Sequence, residues 1–187
     1  MNRPGIRDVP NILSALRLLA APFTAWLIVA GHDTAALLVF AAAGLSDGLD
    51  GFIARRWGVT SDFGAWLDPV ADKLLMLLSL SALCHVGVTP LWLLGLVVVR
   101  DVAIVLGWLL VKWLATPLAV SPLFIGKLST LIQILYVLSA LVLLAFDIEA
   151  PELEQAAAWI CAGTTIASAA AYGSVFLRKL LRGQRIA

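Results

Sequence analysis

Six long apolar stretches run along the chain, at about residues 10–31, 34–54, 64–86, 90–114, 122–146 and 154–177. Each is close to the roughly 20 residues needed to cross the hydrocarbon of a bilayer. Backbone amides in lipid must find their partners within their own segment, so the pattern predicts helices. Turn signals separate them: Gly31-His32-Asp33, Gly58 to Asp62, Gly87 to Pro90, Thr116-Pro117 to Ser121-Pro122, and Pro151. The expectation is an all-α integral membrane fold. Residues 1–187 form one domain, a six-transmembrane-helix bundle, with no internal repeat and no soluble domain. Residues 1–9 are too short and polar to span. They are either an amphipathic piece at the interface or a flexible end.

Composition agrees with this reading. Of 187 residues, 61% are hydrophobic and 13% charged, against about half and about a quarter in a soluble domain. The net charge of +1 is uninformative as a total, and nothing in the sequence points to a nucleic-acid partner. Cys84 and Cys161 lie far apart inside apolar segments, so both read as buried thiols without a disulfide or zinc site. His32 and His85 fall at predicted loops without partner clusters.

Charge distribution predicts orientation. Arg3 and Arg7 precede the first span, Arg55 and Arg56 follow the second, Lys112 and Lys127 flank the fourth loop, and Arg178, Lys179, Arg182 and Arg185 follow the sixth. The other loops carry His32, Asp33, His85 and the acids Asp147, Glu149, Glu152 and Glu154, with no Lys or Arg. The positive-inside rule then places both termini in the cytoplasm. Arg17 interrupts the first apolar stretch, which argues for a retained span rather than a cleaved signal. With no transit-like extension in view, the expected location is a bacterial inner or plasma membrane, with the active site on the cytoplasmic side.

Several charges break the apolar pattern: Asp47, Asp50, Asp68, Asp72, Lys73, Arg100 and Asp101. An ionised group at the bilayer centre costs on the order of 3 kcal/mol even on gentle insertion scales. Asp47 and Asp50 are three apart on one predicted helix, and Asp68 and Asp72 four apart on the next, so each pair shares a face. The short loop through Arg55 and Arg56 makes these helices antiparallel neighbours, and four carboxylates can converge. Two explanations stand. Arg55, Arg56, Lys73 and Arg100 could neutralise them pairwise. Alternatively, hard oxygen ligands could hold Mg²⁺ or Mn²⁺, with four aspartates suiting two ions. Gly44 and Gly48 form a GxxxG suited to helix packing. Gly51 and Gly64 suit close approach of a ligand.

Together these positions read Asp47-x2-Asp50-Gly51-x2-Ala54-Arg55-x8-Gly64-x3-Asp68-x3-Asp72. This resembles the signature of the CDP-alcohol phosphotransferases, with every fixed position filled. The resemblance implies two divalent ions held by Asp47, Asp50, Asp68 and Asp72, with Asp72 also the general base. It implies a CDP site formed by Asp47, Asp50, Gly51, Ala54, Arg55, Gly64 and Asp68. It also implies a homodimer, transfer of a phosphatidyl group from CDP-diacylglycerol, and release of CMP.

The rest of the chain bears on the acceptor. Val9-Pro10-Asn11-Ile12-Leu13-Ser14-x2-Arg17 resembles both the phosphatidylglycerophosphate synthases and the eukaryotic-type cardiolipin synthases of this family. Gly44-Leu45-Ser46 leading into the signature, Arg100-Asp101-Val102, Ser121 to Thr130, and Thr164 to Ala169 with Tyr172 are similar to the second group. Ser129 stands where phosphatidylglycerophosphate synthases tend to carry a second lysine. Loss of one cation suits the diester of phosphatidylglycerol better than the phosphomonoester of glycerol 3-phosphate. The chain also departs from the cardiolipin synthase pattern at Gly126-Lys127 and Ser129-Thr130, where Ser-Lys and Asn-Thr are usual. The expected acceptor is therefore phosphatidylglycerol, with glycerol 3-phosphate as the alternative. Arg100, Lys127 and Arg17 are the expected acceptor contacts, the alternative for Arg100 being a salt bridge to Asp101 or to the aspartate cluster. Asn11 and Ser14 read as helix-start residues. Two rival classes remain: an ion-coupled transporter, which would show paired halves with broken helices, and an inactive scaffold, which would not need four aspartates.

Overall fold

The computed structural model describes the backbone of residues 9–57, 62–113 and 123–183, with side chains over 13–46, 68–110 and 123–178. Among these residues it is all-helical: α1 (Val9–Val29), α2 (Asp33–Trp57), α3 (Asp62–His85), α4 (Leu91–Trp113), α5 (Phe124–Ala145) and α6 (Pro151–Gly183). The helices follow the six predicted stretches, except that α6 runs on beyond Arg178 to Gly183. Three described stretches are long and apolar enough to span a membrane: Leu91–Leu110, Phe124–Ala145 and Pro151–Arg178. Their outward faces are oily, as at Val99, Phe124, Trp159 and Ile160. Residues 1–8 and the predicted turns at 58–61 and 116–122 lie outside the described residues.

The turns that are described use the expected chemistry. Gly31 and Gly87 adopt positive φ, at 73° and 85°, a region glycine enters without steric cost. His32 sits in the turn after α1, whereas His85 is the last residue of α3 rather than a loop residue. A cation-capable side chain suits the negative end of a helix. Cys161 is buried, but Cys84 is only partly so.

The chain divides into two compact units. The first holds α1, α2, α3 and the second half of α5. Its organising element is one stripe of α1: Ser14, Arg17, Ala21, Thr24 and Ile28, each essentially inaccessible. The spacing of three and four keeps these residues on one face. Among the described residues, α1 packs extensively against α3 and also against α2. The short 58–61 connection predicts α2 and α3 as neighbours, but the ends that would meet there lie outside the described residues; among the described residues α1 is in extensive contact with both. Small residues, Ala21 on α1 and Ala71 on α3, are fully buried, which lets the two helix backbones approach closely. Thr24 donates to the Ala20 carbonyl at 2.8 Å, so its hydroxyl is satisfied within its own helix. Gly44 is exposed, and a Cβ there would meet no atom of the described residues. The helix packing expected of Gly44 is therefore not found among them.

The second unit holds α4, the first half of α5, and α6. Leu93, Val97 and Arg100 line the buried face of α4, which packs on α6. Trp92 and Trp159 add a ring contact at 5.0 Å. Two glycines, one on α4 and one on α5, admit aromatic rings of α6. A Cβ at Gly107 would lie 2.5 Å from the Phe176 ring, and one at Gly126 would lie 2.7 Å from the Tyr172 hydroxyl. Gly163, on α6, would meet no atom of the described residues within 4 Å if it carried a Cβ. Gly107→Ala should therefore destabilise the protein by about 1–3 kcal/mol through overpacking. Gly163→Ala should be neutral or mildly stabilising, because alanine is the better helix former. Thermal unfolding in detergent separates the two, and equal melting temperatures would contradict the contact.

Candidate functional site

The signature spans α2 and α3. Asp47, Asp50, Gly51, Ala54 and Arg55 fall on α2 and Gly64 on α3, but their side chains lie outside the described residues. Asp68 and Asp72 are described and sit one helical turn apart on α3. The convergence of all four carboxylates thus falls outside the described residues. Among the described residues, no three His, Cys, Asp or Glu side chains come together.

What the structure adds is the partner helix. Ser14 donates a short hydrogen bond to Asp68 Oδ1. Arg17 donates from Nη1 to Asp72 Oδ1 at 2.6 Å. The donors advance by three residues on α1 while the acceptors advance by four on α3. The two helices therefore run parallel, as an up-down-up order requires. Arg17 is 1% exposed, whereas the Asp72 side chain is 43% exposed. The guanidinium is sunk in the helix interface and the carboxylate opens outward. A cation in that position would be strongly disfavoured without its carboxylate.

One sequence expectation changes here, and a second residue gains a partner. Ser14 is not a helix-start residue, since α1 begins at Val9; its hydroxyl serves Asp68. Arg17, expected at the acceptor, is engaged with Asp72, a cation outside the group of Arg55, Arg56, Lys73 and Arg100 that the sequence sets against the aspartates. Periodicity alone could have flagged both, because Ser14 and Arg17 fall on the stripe of Ala21 and Ile28. Nothing local to α1 names the carboxylates they meet.

In the second unit, Arg100 is 4% exposed. Its Nη1 donates to Asp101 Oδ1 at 2.7 Å, its Nη2 to Ser168 Oγ at 2.7 Å, and its Nη2 also to the Gly126 carbonyl at 3.4 Å. The Asp101 pairing weighed from sequence is thus present. Arg100 also ties α4 to α6 and to the start of α5. Tyr172 reaches the same end of α5, its hydroxyl accepting from the Leu123 amide at 3.2 Å. Lys127 is exposed. Ser129 is fully buried, and its hydroxyl finds no hydrogen-bond partner among the described residues.

Divalent metal is the cofactor the signature implies, and the described residues fit it. Asp68 and Asp72 supply hard oxygen donors one turn apart, and each is held through Oδ1 by a side chain from α1. Ligating carboxylates are characteristically fixed by such outer hydrogen bonds.

Comparison with known proteins follows the same line. The sequence model of the family described as CDP-alcohol phosphatidyltransferase matches residues 7–167. A probable cardiolipin synthase (CMP-forming) of Drosophila melanogaster is 40% identical over 116 residues, covering 62% of this chain and 36% of that protein. The chloroplastic CDP-diacylglycerol–glycerol-3-phosphate 3-phosphatidyltransferase 1 of Oryza sativa subsp. japonica is 36% identical over 184 residues, covering 89% and 56%. The cardiolipin synthase (CMP-forming) of Rattus norvegicus is 35% identical over 181 residues, covering 88% and 60%. The chain spans between about a third and three fifths of the length of these relatives. They come from a fly, a plant and a mammal, which overturns the expected bacterial inner or plasma membrane. That expectation leaned on where the chain begins. Relatives much longer than the matched stretch remove its basis.

Proposed function

Because the chain belongs to the CDP-alcohol phosphatidyltransferase family, we propose that it transfers a phosphatidyl group from CDP-diacylglycerol to phosphatidylglycerol, giving cardiolipin and CMP. The observation that carries this reading is the complete spaced signature from Asp47 to Asp72 within the matched region. In the reaction the acceptor hydroxyl oxygen attacks the lipid-side phosphorus. The phosphoanhydride bond to CMP breaks, and the hydroxyl proton passes to Asp72. Asp47, Asp50, Asp68 and Asp72 would hold two Mg²⁺ or Mn²⁺ ions, which would supply charge neutralisation for the pyrophosphate. Gly51, Ala54, Arg55 and Gly64 would line the CDP site. Asp72 can act as base only within hydrogen-bond reach of the hydroxyl, and its partial exposure supports that access.

Lys127 and Arg100 would serve the acceptor phosphate. Lys127 is the exposed cation, while Arg100 holds the Gly126 carbonyl directly before it. Arg17, buried against Asp72, is better suited to supporting the carboxylate than to meeting a lipid. Ser129 supports the singly charged acceptor. A lysine in this fully buried place would demand an anion beside it, and serine makes no such demand. We further propose that all six helices span the bilayer, with both termini on the side bearing the Arg and Lys loops, and that the enzyme is a homodimer.

The direct test supplies purified protein with Mn²⁺ and CDP-diacylglycerol, and offers phosphatidylglycerol and glycerol 3-phosphate separately. Cardiolipin and CMP from the first alone are expected. Phosphatidylglycerophosphate from the second would transfer the assignment to the glycerol 3-phosphate reaction, the activity named for the rice relative.

A further inference from the structure

The Ser14–Asp68 and Arg17–Asp72 contacts form a matched ladder between two parallel helices, and the chemistry above uses only one side of it. The α1 side is unusual for a membrane helix. Ser14 and Arg17 are 0% and 1% exposed on a stripe otherwise made of Ala21, Thr24 and Ile28. Thr24 satisfies itself within its own helix. Ser14 and Arg17 instead reach across to α3. Packing alone would be served as well by alanine and leucine, without a buried cation.

We propose that Ser14 and Arg17 are positioning residues that set the orientation of Asp68 and Asp72 for divalent metal. This inference rests on the metal-dependent reading above. A carboxylate on a free helix surface rotates about its side-chain bonds. One oxygen held by a donor from a packed neighbour restricts that rotation and aims the group. The two contacts differ in kind. Ser14 supplies a neutral hydroxyl. Arg17 supplies a charge-assisted bond from a planar fork whose position is fixed by burial. Neither residue touches substrate in this assignment; both act through the carboxylates. Holding such partners in place typically matters by 10- to 100-fold in metal affinity.

The test measures Mn²⁺ binding directly, by the loss of the free-ion paramagnetic resonance signal, in full-length protein in detergent without lipid substrate. Arg17→Met could simply prevent folding, so Arg17→Lys is used: it keeps the charge and loses the fork. Ser14→Ala removes one hydroxyl and leaves charge untouched. Thermal unfolding is recorded for each. The expected result is Mn²⁺ affinity weakened by about 10-fold or more in both variants, at melting temperatures near wild type. Wild-type affinity in either variant would overturn the assignment of that residue while leaving the metal reading intact. Wild-type protein that binds no Mn²⁺ would overturn the metal reading itself, and the positioning role with it.

Discussion

Asp72→Asn is expected to lower CMP release by at least 10²- to 10⁴-fold, the range that a positioned general base contributes. The side chain keeps its shape and its Oδ1 atom, which accepts from Arg17 at 2.6 Å in the native protein. It loses the charge and the basic oxygen. Arg17, 1% exposed, then faces a neutral amide, so some loss of thermal stability should accompany the loss of turnover. The partial exposure of residue 72 limits that loss, because water screens the outer end of the pair. Steady-state CMP formation and thermal unfolding on the same preparation report the two effects separately. Turnover near the native rate would remove Asp72 from the base role.

The second large effect is expected at Arg100. Arg100→Ala removes a 4%-exposed side chain that bonds Ser168, Asp101 and the Gly126 carbonyl. Removing one partner from such a buried set costs about 3–5 kcal/mol. For a chain of this size that corresponds to a melting temperature lower by roughly 10 °C. Activity should fall with either acceptor, because the tie between α4, α5 and α6 is lost together with the role proposed for Arg100 at the acceptor phosphate. Lys127→Ala makes the contrast. Lys127 is exposed, so its removal should leave the melting temperature unchanged and raise KM for the acceptor alone. If Arg100→Ala instead leaves stability intact and raises only the acceptor KM, Arg100 is an acceptor contact with little structural duty.

Much of this molecule was open to reading from sequence. The helices fall where the long apolar runs fall, because a helix satisfies its backbone hydrogen bonds within its own segment. The turns at Gly31 and Gly87 were marked by their residues, since positive φ at 73° and 85° is a property of single positions. The Asp68–Asp72 pair was legible for the same reason: a spacing of four on a helix is geometry internal to that helix. Family membership followed from the same spaced residues.

Other features were decided between helices. The apolar pattern marks Ser14 and Arg17 as sharing a face with Ala21, yet it carries no information on which helix lies opposite. The choice of α3, in parallel register, makes Ser14, read as a helix-start residue, and Arg17 the partners of Asp68 and Asp72. Gly107 and Gly126 drew no attention as packing positions, because the rings they admit, Phe176 and Tyr172, are more than forty residues away in sequence. Arg100 could be matched to Asp101 by adjacency, but not to Ser168. By itself, then, the sequence determined the helices, their faces and the signature carboxylates, all of which depend on interactions within a few residues. Only the tertiary structure decided what each face meets, because that depends on side-chain volumes and charges brought together from distant parts of the chain.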